Sequence, residues 1–314
     1  MGQVLRVGSR ASRLALVQTE WVVARLHEAW PDLQVRVVPI RTAGDASRAT
    51  PLAAVGAGVG VFVKELEAAL VEERIDLAVH SMKDVPTCAP EGLEVEASVP
   101  ARADPRDCLL TSAGQSLEDL PRGAIVGTSS PRRRAMLLAA RADLRFTDLR
   151  GNVETRLAKL AAGRCDATVL ARAGLERRGM LDGQAWTVPV SVALPAAGQG
   201  ALALEFRAGD EQVRGLVAAV DDAASRWAVA AERALVRRLG AGCRTPLGVL
   251  GTVDAAGRLA LEAYLVSADG RASLRKRAEG SAADAPAIGV RLAETMLEAG
   301  AARWIERGNA AADA

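Results

Sequence analysis

The segment richest in reactive side chains is His80-Ser81-Met82-Lys83-Asp84, which follows an apolar run at 75–79. Its hydroxyl, ammonium and carboxylate are groups that bind anions and move protons. In open α/β sheets the carboxyl ends of the strands line the ligand crevice, and we expect these side chains there. The alternative is a solvated loop with an incidental Lys–Asp pair, and position alone does not decide between the two.

A second segment, Thr128-Ser129-Ser130-Pro131-Arg132-Arg133-Arg134, joins a predicted strand to a predicted helix. Backbone N–H groups and the helix dipole favour an anion at such a junction. Arginine is unfavourable beside the positive end of a helix unless an anion binds there. The pattern therefore favours a phosphate or carboxylate site over three solvated charges. No Gly-x-x-x-x-Gly-Lys-Ser/Thr motif is present, which argues against a nucleoside triphosphate.

Other basic residues follow predicted strands or begin predicted helices. Each alone is more often a solvated charge, but together they put positive groups at the carboxyl end of nearly every strand. Because the guanidinium fork binds carboxylates in pairs, this recurrence favours an anion-binding cleft. The residues are Arg10, Arg150, Arg156, Arg177 and Arg178.

Cys243 lies in the glycine-rich segment Gly240-Ala-Gly-Cys-Arg-Thr-Pro246, between a predicted helix and a predicted strand. Most lone cysteines are inert core residues. Here a flexible loop and the neighbouring Arg244 favour the thiolate, which makes Cys243 a candidate nucleophile. The other cysteines have no comparable neighbours, and the absence of any Cys-x-x-Cys pair argues against a zinc site or a disulfide framework.

The composition excludes several classes of protein. A chain of 314 residues that is 50% hydrophobic and 25% charged is typical of a soluble protein with two or three domains. No apolar run approaches the roughly 20 residues of a membrane span, and the N-terminus has no apolar signal segment. We therefore expect a cytoplasmic protein. With only two histidines, His27 and His80, a histidine-built metal centre is not expected.

The elements that must position these residues alternate between strand and helix. Strands are predicted at 4–7, 35–40 and 75–79, with helices from Ser12 to Trp30 and over 63–73. The segment 43–60 is rich in Gly and Ala and is predicted to be a surface loop. After Pro100 the alternation begins again, which indicates a second parallel α/β domain.

In that second domain, strands are predicted at 124–127 and 167–170. Pro131 and Asn152 mark the starts of its helices. Beyond Asp222 the predicted order is a long helix, a meander of strands with turns at 254–257 and 268–270, and a final helix. This order is typical of a small α+β domain.

Taken together, these segments closely resemble the porphobilinogen deaminase (hydroxymethylbilane synthase) family of tetrapyrrole biosynthesis. The matching segments occur in the family's order over about residues 4–247, and the C-terminal part matches more loosely. They are Arg10-Ala-Ser12, Phe62-Val-Lys-Glu-Leu66, His80-Ser-Met-Lys-Asp-Val-Pro86, Asp104-Pro-Arg-Asp107, Val126-Gly-Thr-Ser-Ser130, Leu149-Arg-Gly-Asn-Val153, Pro195-Ala-Ala-Gly-Gln-Gly200 and Gly242-Cys243.

The resemblance implies a fold of two α/β domains, like those of type II periplasmic binding proteins, around a cleft. A small C-terminal α+β domain carries the cofactor cysteine. Domain 1 is expected at 1–100 and 200–218, domain 2 at 105–195 and domain 3 at 222–314. The chain is expected to return to domain 1 near 201–206 and to add a strand there.

The resemblance also implies an enzyme that condenses four porphobilinogen molecules head to tail into hydroxymethylbilane and releases ammonia each time. A dipyrromethane cofactor, attached through Cys243, primes the reaction. Asp84 is implied to protonate the departing nitrogen, stabilise the cationic azafulvene and accept the proton lost on rearomatisation. Cofactor contacts are implied for Lys83, Ser129, Arg132, Arg133 and Asp84. Substrate contacts are implied for Arg10, Ser12, Ser81, Arg150, Arg156, Arg177 and Gln199, the last in the interdomain hinge.

As for partners, the resemblance implies a monomer that needs no metal, nucleic acid or membrane and passes its product to uroporphyrinogen-III synthase. The chain departs from the family pattern at 54–59, where family members usually carry lysines and this chain has none. Any role of those lysines is absent here or has moved, with Arg48 as a candidate.

Two other classes of protein compete with this interpretation. A non-catalytic anion receptor would share the two-domain architecture, but it does not explain the cysteine loop or the third domain. A nucleic-acid binder would use the arginine clusters, but a net charge of +2 and 3% aromatic residues argue against it.

Overall fold

The structure, a computed structural model, describes residues 4–42, 63–181, 183, 185–242 and 244–305. The predicted loop at 43–60 and Cys243 lie outside the described residues. No helix in the described part of the chain is long and apolar enough to cross a membrane.

The described strands and helices follow one another in the predicted alternation. The strands are β1 (Leu5–Arg10), β2 (Val35–Ile40), β3 (Leu77–Ser81), β4 (Leu93–Glu94), β5 (Asp107–Thr111), β6 (Ile125–Gly127), β7 (Arg145–Thr147), β8 (Ala167–Ala171), β9 (Ala185–Thr187), β10 (Leu202–Arg207), β11 (Leu247–Val253), β12 (Arg258–Val266) and β13 (Ser273–Ser281). The helices are α1 (Arg13–Ala29), α2 (Lys64–Val71), α3 (Pro131–Ala140), α4 (Val153–Ala161), α5 (Arg172–Arg177), α6 (Glu211–Ala218), α7 (Ala223–Leu239) and α8 (Ala285–Glu298).

The first two sheets have the same topology. Their strand orders are β2-β1-β3-β10-β4 and β7-β6-β8-β5-β9. In the first sheet β10 is antiparallel to its neighbours β3 and β4, and in the second sheet β5 is antiparallel to β8 and β9. Each of these two strands is the first that the chain forms when it arrives from the other domain. Two segments, 95–106 and 188–201, therefore connect the domains. The predicted fold class of two type II periplasmic-binding-protein-like domains around a cleft is confirmed.

The strands nearest the predicted site end later than the sequence indicated. β1 continues to Arg10 instead of ending at residue 7, because it pairs with β2 as far as Ile40. β3 begins at Leu77 and continues through Ser81, because it pairs with β10 as far as Leu202. His80 and Ser81 consequently belong to the strand, and the loop predicted there is a 3-10 turn at Met82–Asp84.

Small aliphatic side chains fill the cores, as the 3% aromatic content requires. In domain 1, Val22 and Leu26 of α1 pack against Leu77 of β3 and Leu204 of β10, and all four are fully buried. Each such aliphatic side chain contributes about 1.5–3 kcal/mol by leaving water. The core thus fixes the sheet whose strand ends carry the site.

The C-terminal domain is an antiparallel sheet, β11-β12-β13, covered by α7 and α8. Asp222 caps α7 by accepting a hydrogen bond from Ser225 N at 2.8 Å. The helix ends at Gly240, whose φ of 63° is the left-handed conformation that glycine adopts without strain. This is the predicted α+β domain.

A buried carboxylate of α7 joins this domain to both connecting segments. Glu232 is fully buried and accepts hydrogen bonds from Gly198 N at 2.6 Å and Gly251 N at 2.8 Å. Its two oxygens also pair with Arg102, at 2.7 and 3.2 Å. Arg102 in turn donates to the carbonyl of Gln199 at 2.9 Å. The two interdomain connections are therefore fastened to each other and to the third domain.

Candidate active site

Asp84 lies at a small cavity of about 70 Å³ in domain 1, which both polar and aliphatic side chains line. Three other predicted site residues, Arg10, Ser12 and Ser81, line the same cavity. They come from the end of β1, the start of α1 and the end of β3. The carboxyl ends of neighbouring strands thus bring together residues that are 74 positions apart in the chain.

Local hydrogen bonds hold the hydroxyl groups of this cavity. Ser12 is the N-cap of α1, and its Oγ accepts a hydrogen bond from Ala15 N at 3.3 Å. The Oγ of Ser81 accepts a hydrogen bond from Nε2 of the buried Gln18 at 3.1 Å. Gln18 is a site residue that the sequence analysis missed, because its signal there is only that of one position on an amphipathic helix.

Lys83 extends from the same 3-10 turn toward the interdomain connection. Its Nζ donates to Oε1 of Gln199 at 3.4 Å, and its side chain is exposed to the cleft. The surrounding protein desolvates the amine and, although Asp84 opposes this, lowers the pKa of Lys83 from 10.5 to about 8. Lys83 is therefore mainly a cation at neutral pH.

Arg132 and Arg133, at the start of α3, converge on a carboxylate of their own domain. Arg132 Nη1 donates to Asp107 at 2.8 Å, and Arg133 Nη2 donates to it at 2.7 Å. Gln199 Nε2 adds a third donor at 2.9 Å. Burial raises the pKa of Asp107, but the two guanidinium groups outweigh it, and the net shift is well below the ordinary value. Asp107 is thus a buried anion.

The sequence predicts an anion beside these arginines, and the protein itself supplies one, the carboxylate of Asp107. Among the described residues, Arg132 donates through Nη1 to Asp107 and to the Leu194 carbonyl, and its Nε and Nη2 have no acceptor there. Nearby, the buried Oγ of Ser129 has no hydrogen-bond partner among the described residues. Unused donors and a buried hydroxyl are what a second, bound anion would need.

The helix starts at Pro131 and Asn152 agree with the predicted capping signals. Ser130 caps α3 by accepting from Arg133 N, with Pro131 in the first turn. Asn152 caps α4 by accepting from Thr155 N at 2.8 Å. These caps place the arginines of both segments beside the free N–H groups of a helix start.

Three further predicted arginines lie at the ends of domain 2 elements. The half-buried Arg156 donates to the Gly151 carbonyl at 3.0 Å, and burial together with the charge of Arg133 lowers its pKa to about 10. Arg177 donates to the Gly200 carbonyl at 2.7 Å, and burial lowers its pKa to about 10. Arg150 is half-buried just before the cap of α4. Arg156 and Arg177 therefore remain cations at neutral pH.

The cysteines other than Cys243 divide by exposure. Cys108 and Cys165 are buried, and burial raises the pKa of both thiols, which disfavours the thiolate. Cys88 is exposed. Next to the predicted attachment residue, Thr245 is buried and its Oγ1 has no partner in the described part of the chain.

Asp107 is the main site residue that sequence reasoning missed. It belongs to the family-like segment Asp104-Pro-Arg-Asp107, but nothing local gives it a role, because its partners are distant in the chain. Gln199 was expected in the hinge, and it lies between Lys83 of domain 1 and Asp107 of domain 2. No group of three or more His, Cys, Asp or Glu side chains that could hold a metal occurs among the described residues.

The fold has two α/β domains of the same topology: Asp84, Arg10 and the hydroxyls of Ser12 and Ser81 line a cavity in one, and Arg132 and Arg133 begin a helix in the other. A family model for porphobilinogen deaminase, dipyromethane cofactor binding domain, matches residues 5–215, and one for the C-terminal domain matches 227–298. The chain belongs to the porphobilinogen deaminase family.

Similar curated proteins cover nearly the whole chain. The porphobilinogen deaminase of Pelotomaculum thermopropionicum is 48% identical over 98% of this chain and 97% of its own length. That of Syntrophotalea carbinolica is 49% identical over 95% of this chain and 94% of its own. That of Thermus thermophilus is 47% identical, over 95% and 97%. Among solved structures, the BenM effector binding domain with its effector benzoate aligns with 69% of this chain and 90% of its own, at 16% identity and a TM-score of 0.42.

Proposed function

We propose that this chain is a transferase that condenses four porphobilinogen molecules head to tail into hydroxymethylbilane, with release of ammonia at each step. The observation that carries the proposal is the convergence of Asp84 with Arg10, Ser12 and Ser81 at one cavity, beside Lys83, whose charge is also influenced by Arg132 and Arg133. A reaction that releases an amine needs a carboxylate that can accept a proton, and a substrate rich in carboxylates needs arginines that can bind them.

The residues present fit a dipyrromethane. Around Lys83, Arg132, Arg133 and Arg156, the cations outnumber the carboxylates of Asp84 and Asp107. We expect Lys83, Ser129, Arg132 and Arg133 to hold the cofactor's carboxylates, Asp84 to contact it, and Cys243 to bind it covalently. When bound, the group supplies the pyrrole carbon to which the first substrate is added.

Asp84 is the proposed catalytic residue. As ammonia leaves the substrate, a cation forms, and a carboxylate in a partly desolvated cavity stabilises it more than water does. The substrate's ammonium group leaves as ammonia, and the same carboxylate accepts the proton that the attacking carbon loses. The hydrogen bond between Ser81 and Gln18 keeps the neighbouring hydroxyl in place.

The remaining arginines, with two serine hydroxyls and one glutamine amide, are proposed to hold the carboxylates of the substrate and of the growing chain. Each porphobilinogen adds two carboxylates, and guanidinium groups distributed over both domains can bind successive units. The residues proposed are Arg10, Ser12, Ser81, Arg150, Arg156, Arg177 and Gln199.

The organisation of the protein follows from this proposal. We place domain 1 at 1–100 and 200–218, domain 2 at 105–195 and domain 3 at 222–314. We further propose a cytoplasmic monomer that hands hydroxymethylbilane to uroporphyrinogen-III synthase.

The test compares Asp84→Asn and Asp84→Glu with the unaltered enzyme, after cofactor content has been measured with acid and Ehrlich's reagent. Asp84→Asn should lower turnover of porphobilinogen by about 10²–10⁴-fold, the typical contribution of general acid–base catalysis. Asp84→Glu keeps the charge and should retain more activity. If cofactor-loaded Asp84→Asn turned over within about tenfold of the unaltered enzyme, the role of Asp84 would be wrong.

A further inference from the structure

The cavity at Asp84 contains a second titratable group, His80, to which the proposed function gives no role. His80 lines the cavity together with Asp84, and only 2% of its side chain is exposed. Its Nε2 lies 2.9 Å from Oε2 of Glu205, which is fully buried on the neighbouring strand. Antiparallel pairing of β3 with β10 brings together two residues that are 125 positions apart.

This pairing fixes which ring nitrogen can exchange protons. A buried carboxylate favours a proton on the nitrogen that faces it, so Nε2–H donates to Glu205. Nδ1 has no hydrogen-bond partner among the described residues and is the basic nitrogen. The carboxylate also stabilises the imidazolium that forms when Nδ1 takes a proton, as in the carboxylate–imidazole pairs of hydrolases.

Two carboxylates, those of Glu205 and Glu67, lie near the imidazole of His80. One oxygen of Glu205, Oε1, is buried without a partner among the described residues. Glu67 of α2 faces the same pair, and burial followed by the charge of Glu205 raises its pKa, against the effects of His80 and Lys64. A cluster with two carboxylates and one imidazole in a low dielectric can hold an added proton at little electrostatic cost.

The reaction leaves one proton in the cleft for each unit added. An aliphatic amine enters as an ammonium ion at neutral pH. Its C–N bond breaks, ammonia leaves with the electron pair and three hydrogens, and the substrate becomes a cation. The attacking pyrrole carbon then forms the C–C bond and loses its hydrogen as a proton. Asp84 takes that proton and is neutral until it passes the proton on.

We propose that His80, oriented by Glu205, receives this proton from Asp84 and so restores the carboxylate before the next unit is added. This proposal rests on the proposed function of Asp84. Both residues line the cavity of about 70 Å³, which exceeds the roughly 15 Å³ that one water molecule needs and so has room for a water that carries the proton. The imidazolium later gives the proton to solvent. His80 thus acts on the reaction through Asp84, by restoring the negative charge of that carboxylate.

The first addition separates this role from all others, because Asp84 begins as a carboxylate and needs no restoration. Rapid mixing of cofactor-loaded enzyme with porphobilinogen, acid quench and intact-mass measurement count the units attached at each time. His80→Gln and Glu205→Gln should add the first unit within about twofold of the unaltered rate. They should add later units at least about tenfold more slowly, the scale of a lost proton-transfer group. The matched control is His27→Gln, the exposed second histidine, which should add every unit normally.

Two results would overturn the proposal: equal slowing of the first and later additions, or normal rates throughout. Should either single variant fail to fold, the double variant His80→Gln/Glu205→Gln, with a neutral amide pair, is judged by the same criterion. Asp84→Asn is measured in parallel. Normal first addition by Asp84→Asn would refute the role of Asp84 itself, whereas slow first addition there with normal His80→Gln rates would refute only the role of His80.

Discussion

Asp107→Asn should destabilise the protein strongly although it changes no group of the proposed chemistry. The carboxylate is 1% exposed and accepts hydrogen bonds from Arg132, Arg133 and Gln199. Asparagine preserves the size and one acceptor oxygen, but it removes the charge that pairs with two buried guanidinium groups. Breaking a buried ion pair by removing one partner costs about 3–5 kcal/mol. Because one acceptor oxygen remains, we expect the free energy of unfolding to fall by about 3 kcal/mol.

The assay is urea unfolding at pH 7, followed by intrinsic fluorescence. The matched control is Asp143→Asn in the same domain, which removes a solvent-accessible partner of Arg141 and should shift the midpoint only slightly. The pKa of Asp107 is lowered in the folded state, so its contribution is complete above its unfolded pKa and is lost as pH falls through the folded value. The difference between the variant and the unaltered protein should therefore persist from pH 7 to 5 and shrink only in strong acid. Equal midpoints for Asp107→Asn and the unaltered protein at pH 7 would refute the reasoning.

Three further predictions concern the cofactor, the cleft and the connection between domains. Cys243→Ser should give a folded protein without covalent dipyrromethane, and an adduct that peptide mass spectrometry still detects in this variant would contradict the assignment. Because the pKa of Lys83 is lowered to about 8, its ammonium is lost as pH rises through that value, and its proposed contact with the cofactor's carboxylates weakens. Turnover of porphobilinogen should therefore fall above pH 8, and Lys83→Arg should remove this fall; an unchanged profile would count against Lys83 as an anion contact. Glu232→Gln should lower the unfolding free energy by about 3 kcal/mol, measured by urea unfolding, because Arg102 loses its buried counter-charge; a midpoint like that of the surface control Glu294→Gln would contradict this.

Local chemistry allowed much of the fold to be predicted from the sequence. Ser12, Pro131 and Asn152 mark helix starts through interactions within three or four residues, and all three helices begin there. The ends of β1 and β3 were placed too early, because strand ends depend on partners such as Ile40 and Leu202 that a local pattern does not contain.

The site divides in the same way. The segment from His80 to Asp84 and the arginines at helix starts are visible as dense clusters of functional groups along the chain. Asp107 is not, because its role arises from Arg132, 25 positions away, and from Gln199, 92 positions away. In the sequence, Glu232 is likewise only one polar position on a helix, because its partner Arg102 is distant in the chain.

Several of these long-range contacts meet at Gln199, in one of the two segments that connect the domains. Gln199 lies between the Lys83 ammonium of domain 1 and the Asp107 carboxylate of domain 2, and its carbonyl accepts from Arg102. A rotation of one domain relative to the other must therefore keep or break hydrogen bonds of this one residue. Since Arg102 is paired with Glu232, the third domain is connected to Gln199 through Arg102. Gln199→Ala should accordingly disturb both sides of the cleft at once, whereas a change at Lys83 should disturb only one.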